Sequence, residues 1–175
     1  YNTSEWSLEH IHAQQSEGLR TTENRIKWLS THIGYVMKSK KKFDKEVLVS
    51  KMQEAIDKNL VTQVEFETMA AEVFNALSED GDTRYVDLIG NMALLSRDIN
   101  SKLNNSVFAA KRDAIVDLDK KGSFIPYCTK MVFLKYYTSS TETQFEFWSS
   151  ADRDAYTTEM GKILDPYLKL IEATF

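Results

Sequence analysis

Glu9, His10 and His12 stand almost side by side in the stretch SLEHIHAQ, Ser7 to Gln14. A carboxylate and imidazoles are the groups that hold metal ions and move protons near neutral pH. Helical spacing does not account for the cluster, because neighbours on a helix point in different directions. An extended strand puts His10 and His12 on one face and Glu9 with Ile11 on the other. Glu9 and His10 then converge on one ion only if the strand end is twisted. A fragment of satisfied core is the competing reading, and the motif alone does not decide between them.

Other residues can join the cluster. Asn91 and Asn100 lie nine positions apart on either side of a short apolar run, Met92 to Leu95, that reads as a strand. Lys102 follows, and a helix is predicted from Asn104 or Asn105, as cap, to a stop at Gly122. Three helices precede this segment. The first is capped by Thr21 or Thr22 and repeats Ile26, Leu29, Ile33 and Met37. The second follows the basic loop Lys38 to Lys42 and carries Val47, Leu48, Met52 and Ile56. The third runs through Phe66, Met69, Ala70, Val73 and Leu77 to the turn signal Asp80-Gly81-Asp82. After Pro126 a short helix capped by Thr129 is expected, then a long final helix kinked or split at Pro166. The order is strand, three helices, strand, helix and further helices.

Acid–His, Asn, strand, Asn, helix resembles the ββα-metal core of the HNH (His-Me finger) nucleases. The Asn91-to-Asn100 gap is similar to that in the HNH domain of CRISPR effector nucleases. The segments EHIHAQ, LIGNMALLSRDINSKLNNSVFAAKR and GSFIPYCTKMVFLKYY resemble the C-terminal HNH domain of GmrSD-type restriction endonucleases. Ala13 stands where that family often has Pro, and His12 is an additional histidine. The fold expected is α+β and mostly α-helical: a small ββα-metal (HNH) core, a helical insertion between its two strands, and C-terminal helices. One domain, 1–175, is expected, with core 5–20 and 85–121, insertion 21–80 and C-terminal helical part 129–175. It reads as the C-terminal piece of a longer protein.

The resemblance also implies a chemistry. Glu9 and Asn100 would hold a divalent ion, Mg²⁺ or Mn²⁺, and His10 would act as general base on the attacking water. Asn91 would orient the strand and His10, or else brace the loop between the strands. Lys102, Lys111 and Arg112 are the expected phosphate contacts, with Arg97 extending that surface. The substrate implied is phage or foreign DNA, in the bacterial cytoplasm, with an N-terminal ParB-like nucleotide-hydrolysing domain as partner.

Composition narrows the alternatives. A formal charge of -4 argues against a protein that merely coats nucleic acid. Scarce Gly and Pro suit a helix-rich domain, and no apolar run approaches the ~20 residues of a membrane span. The opening residues do not read as a signal peptide. The lone Cys128 excludes both an internal disulfide and a cysteine zinc cage. His32, Trp28 and Trp148 read as structural, and EDGDTRYVD lacks the order of a calcium loop. The second function class is a catalytically inert helical module that docks a partner domain.

Overall fold

Local capping and an apolar stripe are enough to start each helix of the long segment between the strands. The computed structural model describes residues 5–13, 19–79, 85–103, 105–139, 141 and 144–172. Helix α1 (Thr22–Lys38) begins where the Thr21 hydroxyl accepts from the Asn24 N–H, and it buries Trp28, Leu29, His32 and Val36. Helix α2 (Lys45–Asp57) is capped by Asp44 and buries Leu48 and Met52. Helix α3 (Gln63–Ala76) opens with a reciprocal capping box between Thr62 and Glu65. The apolar faces of these helices close a first core around Trp28, Phe66, Val73 and Phe74. The expected turn at Asp80-Gly81-Asp82 lies outside the described residues.

Strand β1 (Trp6–His10) pairs antiparallel with β2 (Met92–Ser96), bringing Glu9 opposite Ala93 and His10 opposite Met92. Among the described residues these are the two strands of the only sheet, so the architecture is α+β and mostly helical. A single 3-10 turn, Ile89–Asn91, leads into β2. Helices α4 (Arg97–Leu103) and α5 (Phe108–Lys120) follow, then α6 (Tyr127–Phe133) and α7 (Ser150–Glu172). The second core lies under the sheet and takes Ile11, Leu95, Phe108, Phe133 and Trp148. Helix α5 lies between the two cores, with Val107 and Ala110 in the first and Phe108 and Ile115 in the second.

Three boundaries differ from the sequence reading. The helix expected up to Gly122 is α5, and an additional short helix, α4, precedes it with Asn100 inside. Asn105 is a turn residue at φ 46 rather than a cap, and Asn104 lies outside the described residues. Val107 occupies the N-cap of α5 and offers no side-chain acceptor. Helix α6 starts at Tyr127 behind Pro126, so Thr129 is not its cap; its hydroxyl donates to the Leu94 carbonyl, fastening α6 to β2. Pro166 does not split α7, which is assigned as one helix through it.

Candidate active site

Alternation along β1 separates the two central residues of the motif. Glu9 turns inward, as do its sheet neighbours Ala93 and Leu95, while Leu8 is exposed and His10 lies at the surface with its side chain 37% exposed. The strand ends at His10, so His12 does not share its face. His12 falls in the following bend and is buried, packed edge-on to Phe74.

Asn91 is buried and finishes the sheet where the strand stops. Its backbone carbonyl accepts from the Ile11 N–H at 2.8 Å. Its side-chain Oδ1 accepts from the His12 N–H at 3.0 Å, and Nδ2 donates to the His12 carbonyl at 3.1 Å. The amide thus replaces a missing strand residue. The same Nδ2 donates to the Val86 carbonyl at 2.9 Å, tying the turn before the 3-10 segment to the strand end. Asn91 therefore braces both strand and loop, and with no exposed surface it cannot touch a substrate directly.

His10 is held from two sides. Its Nε2 lies 3.1 Å from Oδ1 of Asp87, an exposed residue of that turn. Its backbone carbonyl accepts from Lys111 Nζ at 2.6 Å. The same ammonium is bonded to Glu9 Oε1, an ion pair whose side chains are 0% and 7% exposed. Burial pushes the Lys111 ammonium below its ordinary pKa, and the Glu9 carboxylate opposes that shift.

Asn100 reaches β1 from α4. Its Nδ2 donates to Ser7 Oγ at 2.8 Å and to the Leu8 carbonyl at 3.3 Å, which leaves the carbonyl Oδ1 to accept or to ligate. Carboxylate and amide oxygens are the hard donors that Mg²⁺ or Mn²⁺ takes, so Glu9 and Asn100 fit such an ion by chemistry. Among the described residues no group of three or more His, Cys, Asp or Glu gathers to hold a metal. The Glu9 carboxylate is turned onto Lys111, and the Asn100 amide onto Ser7 and Leu8.

The expected phosphate contacts fare unequally. Lys111 is interior and bonded to Glu9 and His10, which removes it from that set. Lys102 is exposed on α4. Arg97 is exposed and paired with Glu5. Arg112 lies over the Phe145 ring at 4.3 Å and contacts Asp113.

Sequence reasoning missed Asp87, which sits in no motif, and the interior placement of Lys111. It also missed what the buried histidines do. The Val107 N–H donates to His32 Nε2 and the Phe108 N–H to His12 Nδ1, each at 3.4 Å, so two imidazoles cap α5 in place of an N-cap side chain. Burial lowers the His12 pKa to about 3 and that of His32 to about 4, so both stay neutral and able to accept.

No curated protein and no solved structure matches the chain. The family model described as "GmrSD restriction endonucleases, C-terminal domain" matches residues 68–162, just over half of the chain. The match takes in Asp87, Asn91, Asn100 and Lys111, while β1 with Glu9 and His10 lies before it. On that match, the chain belongs to the family of C-terminal domains of the GmrSD restriction endonucleases.

Proposed function

We propose that the chain is an HNH-type DNA endonuclease domain that hydrolyses a phosphodiester bond as the effector of a bacterial antiphage restriction protein, with His10 as general base. The observation that carries this is the setting of His10. A solvent-accessible imidazole stands at a strand end, its carbonyl held by a buried ammonium and its ring by a carboxylate. Asn91 fastens the two backbone positions after it. A surface histidine with no task has no need of three fixing contacts. A general base does, because a misplacement of about 1 Å costs on the order of 10²-fold in rate.

Glu9 and Asn100 would hold Mg²⁺ or Mn²⁺, which would supply stabilisation of charge growing on the phosphoryl and leaving oxygens. The chain's own residues do the rest. His10 takes a proton from water, Asn91 acts as a positioning residue behind it, and Lys102 with Arg97 receives backbone phosphates. Target recognition and nucleotide hydrolysis would fall to a ParB-like N-terminal domain, in the cytoplasm of a bacterium. Among the described residues no helix is long and apolar enough to cross a membrane.

The test is supercoiled plasmid with Mg²⁺ or Mn²⁺, beside His10→Ala and an EDTA control. Conversion to open-circle or linear DNA that EDTA and His10→Ala both abolish is the expected result. Cleavage that survives in His10→Ala removes His10 as the base. A protein inert on plain and base-modified DNA with either metal removes the nuclease reading for this chain.

A further inference from the structure

We propose that Asp87 is a positioning residue for His10: its carboxylate fixes the ring and holds the proton on Nε2, so that Nδ1 is the nitrogen that takes the proton from water. This rests on the reading of His10 as the base. A neutral imidazole has one N–H and one lone pair, and the partner of one nitrogen decides the role of the other. A carboxylate only accepts, so the 3.1 Å contact between Nε2 and Asp87 Oδ1 requires the hydrogen on Nε2. The basic lone pair then lies on Nδ1. The contact is the one hydrogen bond of the His10 ring among the described residues.

An exposed pair of this kind contributes little to stability, and Asp87 is 90% exposed. Its value lies in orientation, and the turn that carries it is fastened on three sides. Tyr85 lies under the Arg153 guanidinium, 3.6 Å from the ring centroid. The Val86 carbonyl is held by Asn91 Nδ2, and the Leu88 carbonyl accepts from the Asn91 N–H at 2.8 Å. Asn91 is thus shared between the strand end that presents His10 and the turn that presents Asp87. A site built on such fixed supports keeps its geometry without the stability of the contact itself.

Long-range ¹H–¹⁵N NMR of ¹⁵N-histidine-labelled protein at pH 8 reads the tautomer with no need of turnover. The wild type should show His10 as the Nε2–H form, and Asp87→Ala should show a mixture of both tautomers with the melting temperature unchanged. Asp87→Asn, whose amide can donate to Nε2, should gain the Nδ1–H form. Metal-dependent plasmid cleavage should fall about tenfold or more in both variants, since the base nitrogen is then misplaced. A wild-type Nδ1–H tautomer, or an Asp87→Ala spectrum identical to wild type, overturns the proposal. So does full cleavage by Asp87→Ala where His10→Ala is inactive. Cleavage by His10→Ala removes His10 as the base instead, and none by the wild type removes the nuclease reading. The NMR result still decides whether Asp87 sets the His10 tautomer.

Discussion

The Lys111 ammonium and the Glu9 carboxylate meet in the interior, and the same ammonium reaches the carbonyl of His10. One buried cation therefore joins α5 to both members of the acid–histidine motif. Removing one partner of a buried pair leaves the other charge without compensation, typically at about 3–5 kcal/mol. Lys111→Met should accordingly lower the melting temperature by roughly 6–20 °C for a chain of this size. Glu9→Gln in the same chain should recover part of that loss. Mg²⁺ separates the two roles of Glu9. If it is a metal ligand, Mg²⁺ should raise the melting temperature of Lys111→Met more than that of wild type, because the ion replaces the lost charge. Equal shifts would leave Glu9 as a partner of Lys111 alone.

The two histidine caps make stability depend on pH in a stated direction. Both folded-state values, about 3 for His12 and about 4 for His32, lie below the unfolded value of 6.5. Burial is the leading cause in each, and the charges of Lys111 and Arg153 press His12 further down. The unfolded state then binds protons first. The stabilisation is fully present above pH 6.5 and is lost as pH falls towards the folded values. At pH 5 each histidine should cost about 2 kcal/mol relative to pH 7.5. Urea unfolding at the two pH values measures the sum. His12→Asn puts a carbonyl oxygen at the Nδ1 position, able to accept from Phe108 and unable to protonate, so it should flatten the His12 share of the pH dependence. An unflattened profile would place the acid sensitivity elsewhere.

Asn91 offers a test of the amide as a substitute strand residue. Asn91→Asp is nearly isosteric and keeps an acceptor for the His12 N–H. It also sets a carboxylate against the His12 and Val86 carbonyls, which the amide had satisfied as donor. Each such unmet buried group costs about 1–3 kcal/mol, and the buried charge adds to that. The variant should be markedly less stable than wild type at pH 7 and recover partly near pH 4.5, where a protonated acid donates to one carbonyl. Loss of the same size at both pH values would show that volume and packing, and not donor count, govern this position.

Much of the framework was legible because it is local. Thr21 announces its helix within one turn, and the stripes through Leu29, Leu48 and Phe66 repeat at helical spacing. The strand after Asn91 follows from an apolar run that spans few residues in the second half of the chain. What could not be read depends on partners far apart in sequence. Val107 gives no cap signal because its helix is capped from α1 and from the bend after β1. Lys111 looks like any helix-surface lysine until Glu9, a hundred residues away, is folded against it. Asp87 is one acid among many; only the turn held by Asn91 brings it to His10.

Gly90 tests how tightly α7 supports the turn and strand around the site. A Cβ there would stand 2.7 Å from Thr157 Oγ1 and 3.4 Å from the Arg153 carbonyl, and the Gly90 carbonyl accepts from the Trp148 indole N–H at 2.9 Å. Helix α7 is thus pressed against the segment between Asp87 and Asn91. Gly90→Ala forces either the turn or the helix to shift, which typically costs about 1–3 kcal/mol. The nearest obstacle is one hydroxyl, so Thr157→Ala should relieve most of that cost. The double variant should then be more stable than the sum of the single effects allows, with a coupling of at least about 0.5 kcal/mol. Chemical denaturation of the four proteins completes the cycle. Strict additivity would mean that the Gly90 contact yields elsewhere, through the backbone of Arg153 rather than the Thr157 side chain.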